Sequence, residues 1–330
     1  MNKKSSGESF LPVQAIVLAL TAWAIIALLF FLLFSVPLPG QGRPGWYGIA
    51  TYILENVAFL GAALLCFRNW RSSLIVSGRT VWLAIGLGML SYFIANLLLA
   101  QWELGWGQSP DLSPGDFFFI LTYVFLGGGM LIAVVSRRLN LTLWQWATVL
   151  GIAVAGIALA YVLLSAPEEG ELPVTAPPGI EQTVPADPAT TSDAPVLPDA
   201  APESLPDTSA ADTAPGWVTE LAISLEPLAD IVTLAYIIGD IFLVVMATTL
   251  LLAFWGGRFS LSWRFIAAAA FSLYLADIWF FYALTYIDDY ETGALPEVFF
   301  IFSAILFGIG AALEYDLSTR SRRGGRRRGG

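Results

Sequence analysis

Residues 272–281 read SLYLADIWFF, and residues 91–96 read SYFIAN. Both stretches lie inside apolar runs, and each places one polar side chain, Asp277 or Asn96, at its sixth position. Displaced by 181 residues, the second half of the chain falls on the first without a gap for about fifty positions. Trp82 then meets Trp263, Ile85 meets Ile266, Asp116 meets Glu297, and Gly127 and Gly129 meet Gly308 and Gly310. The polar pairs keep one spacing of twenty residues, Asn96 to Asp116 and Asp277 to Glu297. A slightly larger displacement pairs Glu55 with Asp240 and Trp70 with Trp255, the difference falling in a loop. Apolar matches between membrane helices are common, whereas Trp, Asn/Asp, Asp/Glu and Gly recurring at fixed spacing mark an internal repeat.

Of 330 residues, 57% are hydrophobic and 13% charged, which is the composition of a polytopic membrane chain and not of a soluble globular one. Crossing hydrocarbon takes about 20 apolar residues in a helix. Runs of that kind occur at 12–36, 46–67, 80–102, 117–136, 142–165, 229–255, 262–286 and 296–315. The expected fold is therefore an all-α, polytopic integral membrane protein of eight transmembrane helices, built as two four-helix repeats. Four crossings return the chain to its starting side, so the repeats run parallel about a pseudo-twofold axis along the membrane normal. The first run is too long for a cleavable leader and reads as an uncleaved anchor.

Basic residues set the orientation. Lys3, Lys4, Arg68, Arg71, Arg79, Arg137, Arg138, Arg258, Arg264 and the tail arginines all fall on one side of an eight-crossing chain, and only Arg43 falls on the other. Both termini are expected in the cytoplasm of a cell with this protein in its inner (plasma) membrane. The organisation is then a first repeat over 1–138, helix 5 over 139–165, an outside loop over 166–216, helices 6–8 over 217–318 and a basic tail over 319–330. The loop holds ten acids, eleven prolines and no Lys, Arg or aromatic residue, which accounts for the whole net charge of −10. Such a segment buries no apolar surface and is expected to be a disordered, extended spacer. The stretch beginning at Trp217 is expected to form a short amphipathic helix at the outer interface.

A single cysteine, Cys66, gives no disulfide framework. With no histidine, haem ligation, His-based zinc sites and Ser-His-Asp catalysis are excluded. No cofactor or metal is expected. The residues left with chemistry are Glu55, Asn96, Asp116, Asp240, Asp277 and Glu297. Glu55 and Asp240 fall near helix midpoints; at a rise of about 1.5 Å per residue, Asn96 and Asp277 lie roughly 5–7 Å nearer the outer side. A carboxylate facing lipid costs several kcal/mol, so these groups are expected to face the bundle interior or a water-filled cavity. Interhelical hydrogen bonding is their simpler role; three acids at similar depth exceed what packing needs and suggest a site for a cation, a proton or a polar ligand. Asp116 and Glu297 are placed to cap helices: Ser113-Pro-Gly-Asp116 has the Ser, Pro and acid of a helix start. The glycine pairs read as close-packing surfaces, and Trp and Tyr near helix ends as interfacial anchors. Arg320, Arg322, Arg323, Arg326, Arg327 and Arg328 form a membrane-surface basic tail; binding of nucleic acid is not expected.

The stretch Trp106-Gly-Gln-Ser-Pro-Asp-Leu-Ser-Pro-Gly-Asp116-Phe-Phe-Phe-Ile-Leu-Thr-Tyr123 resembles the Pro-Ser-x-Ala-Asp-x-Phe/Leu-Tyr-Leu…Tyr-Pro pattern of multi-helix membrane sensor regions in bacterial cyclic-di-GMP signalling proteins of the diguanylate cyclase type. Gly115 replaces the Ala, no Pro follows Tyr123, and the sequence holds no cyclase output domain. The resemblance implies a sensory or regulatory membrane module with a cytoplasmic signalling partner. Three readings follow: a non-enzymatic sensor with an outward-facing acidic pocket; a proton- or cation-coupled transporter using midplane carboxylates; and an intramembrane aspartyl protease built on Asp240 and Asp277, for which the motif order is not met. The lipid bilayer is the one partner composition requires; ligand and oligomeric state are not encoded legibly.

Overall fold

In hydrocarbon every backbone N–H and C=O has to be satisfied within its own segment, so the apolar runs fold as helices. A computed structural model describes residues 12–36, 43–135, 142–165, 214–253, 260–287 and 290–326. Its helices are α1 (Val13–Phe34), α2 (Gly45–Arg71), α3 (Arg79–Ala100), α4 (Asp116–Val135), α5 (Leu143–Ser165), α6 (Gly216–Leu225), α7 (Ala229–Ala253), α8 (Ser260–Tyr286) and α9 (Val298–Arg326). The described residues contain no strand. Seven helical segments among the described residues are long and apolar enough to cross a membrane, and the apolar part of α5, Leu143–Leu159, is shorter. The chain is a polytopic all-α membrane protein.

Two boundaries differ from expectation. The helix expected to end at 315 continues as α9 to Arg326, so Arg320, Arg322, Arg323 and Arg326 ride on a helix; Arg320 pairs with Asp316 one turn back at 2.9 Å. The short helix expected near Trp217 is α6, which passes through a 3₁₀ turn at Glu226–Leu228 directly into α7. The acidic segment, up to residue 213, lies outside the described residues, as do Lys3, Lys4, Arg137, Arg138, Arg258, Arg327 and Arg328.

Six helices close a ring in the order α2, α3, α4, α7, α8, α9 and back to α2. Exchanging α2 with α7, α3 with α8 and α4 with α9 leaves these neighbours unchanged. The two seams between halves join helices that run in the same direction. Along α2 and α9, Tyr47 bonds Gly293 near both starts and Asn69 bonds Ala311 farther on. Along α4 and α7, Asp116 meets Tyr236 and Tyr123 meets Asp240. Helices α1 and α5 break the symmetry: α1 packs on α9 and touches α2, whereas α5 packs on α7.

Lipid offers no hydrophobic drive for helix association, so close contact of small residues supplies it. The repeat's glycines do this in matched fashion. A Cβ on Gly129 would stand 3.3 Å from Val81 O, and one on Gly310 would stand 3.1 Å from Ser262 O, and residues 81 and 262 are themselves repeat partners. One half of the ring's interior is solidly packed, with Trp82, Ile85, Met89, Leu126, Met130, Trp263, Ile266 and Phe307 all buried. At this end α2 finishes and α3 begins, and Arg68, Arg71, Arg79 and Arg320 cluster; we call it the arginine-rich end. The other half of the interior is where the polar residues gather.

Candidate functional site

Glu55, Asn96, Asp116, Asp240, Asp277 and Glu297 come from α2, α3, α4, α7, α8 and the turn before α9, and all six line one cavity of about 140 Å³. No lining residue is Lys or Arg. The ring thus brings together every buried acid and amide singled out from the sequence.

The halves treat equivalent positions differently. In the first, Asn96 Nδ2 donates to Glu55 Oε2 at 2.7 Å, an amide–carboxylate bond between α2 and α3. In the second, both positions are acids, and Asp240 and Asp277 touch each other through their carboxyls. A tyrosine joins them: the Tyr123 hydroxyl lies 2.9 Å from Asp240 Oδ1 and 2.7 Å from Asp277 Oδ2. A phenolic hydroxyl has one hydrogen to give and an ionised carboxylate has none. The two contacts are both hydrogen bonds only when one carboxyl carries a proton. Asp277 stands where Asn96 stands, so a proton shared between Asp240 and Asp277 does there what the amide hydrogen does in the first half.

Tyr123 reaches the acids because of Gly239. A Cβ on that residue would stand 2.6 Å from the Tyr123 ring. Helix α7 runs unbroken through Gly239, and the missing side chain makes room for the ring. Tyr236 bonds the far oxygen of Asp116 at 2.5 Å. These two tyrosines are carboxylate partners in the ring, a role apart from the interfacial anchoring expected of most Tyr near helix ends.

The capping roles expected of Asp116 and Glu297 are present and account for most of their oxygens. Asp116 Oδ2 accepts the backbone N–H of Ser113 at 2.7 Å, while Ser113 Oγ accepts Gly115 N–H at 3.1 Å, a reciprocal capping box. Glu297 takes the N–H groups of Gly293 and Ala294 at 2.9 Å and the hydroxyl of Tyr290. Burial and the Glu297 carboxylate push the Tyr290 hydroxyl well above the usual tyrosine range, so it stays a donor.

A rim of residues that sequence reading missed closes this end. The chain after α3 makes a π turn at Gln101–Gly105, a local irregularity often found at functional positions. The turn delivers Glu103 to Tyr52, 2.5 Å away, to Thr292 N–H at 3.1 Å and to the Thr292 hydroxyl. Arg43, the lone basic residue expected on this side, donates to the carbonyls of Glu291 and Thr292 at 2.9 and 3.0 Å, and Tyr47 donates to Gly293 O at 2.6 Å. The segment 290–294 is thereby tied to α1, α2 and α3. Among the lining residues Tyr92 is set apart: 5% exposed and stacked on Phe59 at 3.7 Å, it lines the cavity with a hydroxyl that makes no hydrogen bond among the described residues.

A further buried acid was also missed. Glu314, 0% exposed, sits at the arginine-rich end, where it accepts from Ser77 N–H, Ser262 and Ser318. Compared with known proteins, the chain matches no family model, and no curated protein or solved structure is significantly similar to it.

Proposed function

We propose that the chain is a sensor or regulatory module of the bacterial inner membrane, receiving a small polar, cationic ligand in the acidic cavity. The observation that carries this reading is the convergence of six polar residues from six elements on one cavity without a cation, beside a solidly packed half-core. Buried carboxyls in a membrane are expensive and mark binding or proton sites by default. The arginines at the packed end support a cytoplasmic position for it under the positive-inside rule, with the cavity then facing outward. The resemblance of residues 106–123 to membrane sensor regions points the same way, with ligand occupancy read out by a cytoplasmic partner at the arginine-rich end.

A proton- or cation-coupled carrier is the second reading, favoured by the parallel seams between halves, since parallel repeats around midplane carboxyls are a carrier architecture. Two assays on the full chain separate them. In nanodiscs, monovalent cations and small primary amines are screened for a shift of the thermal unfolding midpoint that Glu55→Gln and Asp240→Asn abolish. In liposomes, pH-dye and cation flux are followed with the same variants. Binding without flux is the outcome for a sensor, and flux abolished by the substitutions overturns it in favour of a carrier.

A further inference from the structure

The cavity has a second arm. Beneath α5 lies an apolar cleft of about 250 Å³, lined by residues of α5, α7 and α8 alone. Gly156, Leu159, Ile241 and Tyr274 line both spaces, so the cleft runs on into the acidic cavity. No loop contributes to it, and every wall residue lies well inside a helix. The outward face of α5 around it is apolar and open, with Leu150, Val154 and Ile157 each more than half exposed. The cleft therefore borders hydrocarbon. It exists because α5 leans on α7 instead of entering the position that α1 holds in the other half. Two polar groups point to an occupant. The Tyr92 hydroxyl, on a side chain only 5% exposed, makes no hydrogen bond among the described residues and lines the acidic cavity, and the half-buried Tyr274 sits at the junction, its hydroxyl 3.8 Å from where a Cβ on Gly156 would stand.

The geometry points to a binding site for a single-chain cationic amphiphile that enters sideways from the bilayer: its amine rests on Asp240, Asp277 and Tyr123, and its hydrocarbon chain lies in the cleft under α5. Charge complementarity selects the head, because the cavity walls hold acids and tyrosines and no cation. Depth selects the chain, because the cleft under α5 is lined by Ile152, Ala155, Leu159, Ile241, Val244 and Phe271. This assignment rests on the proposed ligand-receiving role of the acidic cavity and narrows it to one ligand class.

The test uses the full chain in phosphatidylcholine nanodiscs and a long-chain alkylamine carrying a diazirine near its tail. Photolabelling is mapped by mass spectrometry, with ethylamine and an uncharged alcohol of the same chain length as competitors. Labelling of α5, α7 or α8 is expected, reduced at least tenfold by Asp277→Asn through the head and by Gly156→Leu through the chain. Leu159→Trp serves as a second block of the cleft, and each variant is checked for an unchanged unfolding midpoint. Neither competitor should displace the probe at equal concentration. Ethylamine competing as well as an unlabelled long-chain amine overturns the amphiphile assignment while leaving a cation pocket intact. Labelling that Gly156→Leu and Leu159→Trp leave unchanged overturns it too. Absence of binding by either amine overturns both this assignment and the cation-receiving role.

Discussion

Trp82 and Trp263, equivalent residues of the two halves, meet each other with ring centroids 6.5 Å apart at the centre of the ring. Repeat partners touch only where a pseudo-twofold axis passes, so this pair marks the axis and plugs the arginine-rich half of it. Both rings are almost wholly buried. Replacing either by Ala is expected to cost about 3–5 kcal/mol, the usual range for a buried large aromatic. Because the rings touch, the double substitution should cost measurably less than the sum. Equilibrium unfolding of the two single variants and the double variant in detergent checks this.

Asp277→Asn gives the second half the amide donor that the first half has in Asn96. The protein is expected to keep its fold and its unfolding midpoint, with the introduced amide donating to Asp240. The shared proton should vanish with it. Difference infrared spectroscopy at neutral pH should show a protonated-carboxyl band in the native protein and its loss in the variant. Persistence of the band in Asp277→Asn would place the proton elsewhere.

Three consecutive glycines in α4 separate packing from propensity. A Cβ on Gly129 meets the backbone of α3, whereas one on Gly128 meets nothing within 4 Å. Gly129→Ala is expected to destabilise by about 1–3 kcal/mol, the range for overpacking. Gly128→Ala should be neutral or stabilising by up to about 1 kcal/mol, from helix propensity. Gly310→Ala should behave as Gly129→Ala does, since its contacts are the repeat equivalents.

The rim depends on Glu103. Removing its carboxylate with Glu103→Ala leaves the Tyr52 hydroxyl and the Thr292 N–H and hydroxyl without their shared acceptor. Segment 290–294 is expected to loosen, with amide exchange at Thr292 at least tenfold faster. Arg43→Ala should act on the same segment from its other side. Unchanged exchange in both variants would mean that the segment is held by Glu297 and Tyr47 alone.

Helix number, helix type and the six polar residues of the cavity were legible in the sequence, because hydrocarbon imposes one solution on the backbone and forces polar side chains inward. What stayed hidden is informative. Tyr123 and Tyr236 have the hydropathy of interfacial anchors, and only the α4/α7 seam turns them toward carboxyls. Glu103 lies in a π turn that no periodicity announces. Glu314 lies at the end of the run expected to span hydrocarbon, where nothing in the sequence announces the serines that bond it. The different seats of α1 and α5 were invisible because apolar helices of similar length carry no address for their neighbours. Gly239 carries no signal in the sequence for the ring of Tyr123 that fills the space beside it.

The two like-directed seams give the ring the geometry of a dimer whose subunits have been joined end to end. In such a dimer every substitution strikes both sides at once, so an acid at position 277 would bring another at 96, and a tyrosine at 123 would demand one where Ala304 now stands. Joining the halves released each site from its twin. One flank of the pocket kept an amide bonded to its acid, while the other acquired two acids joined by a tyrosine.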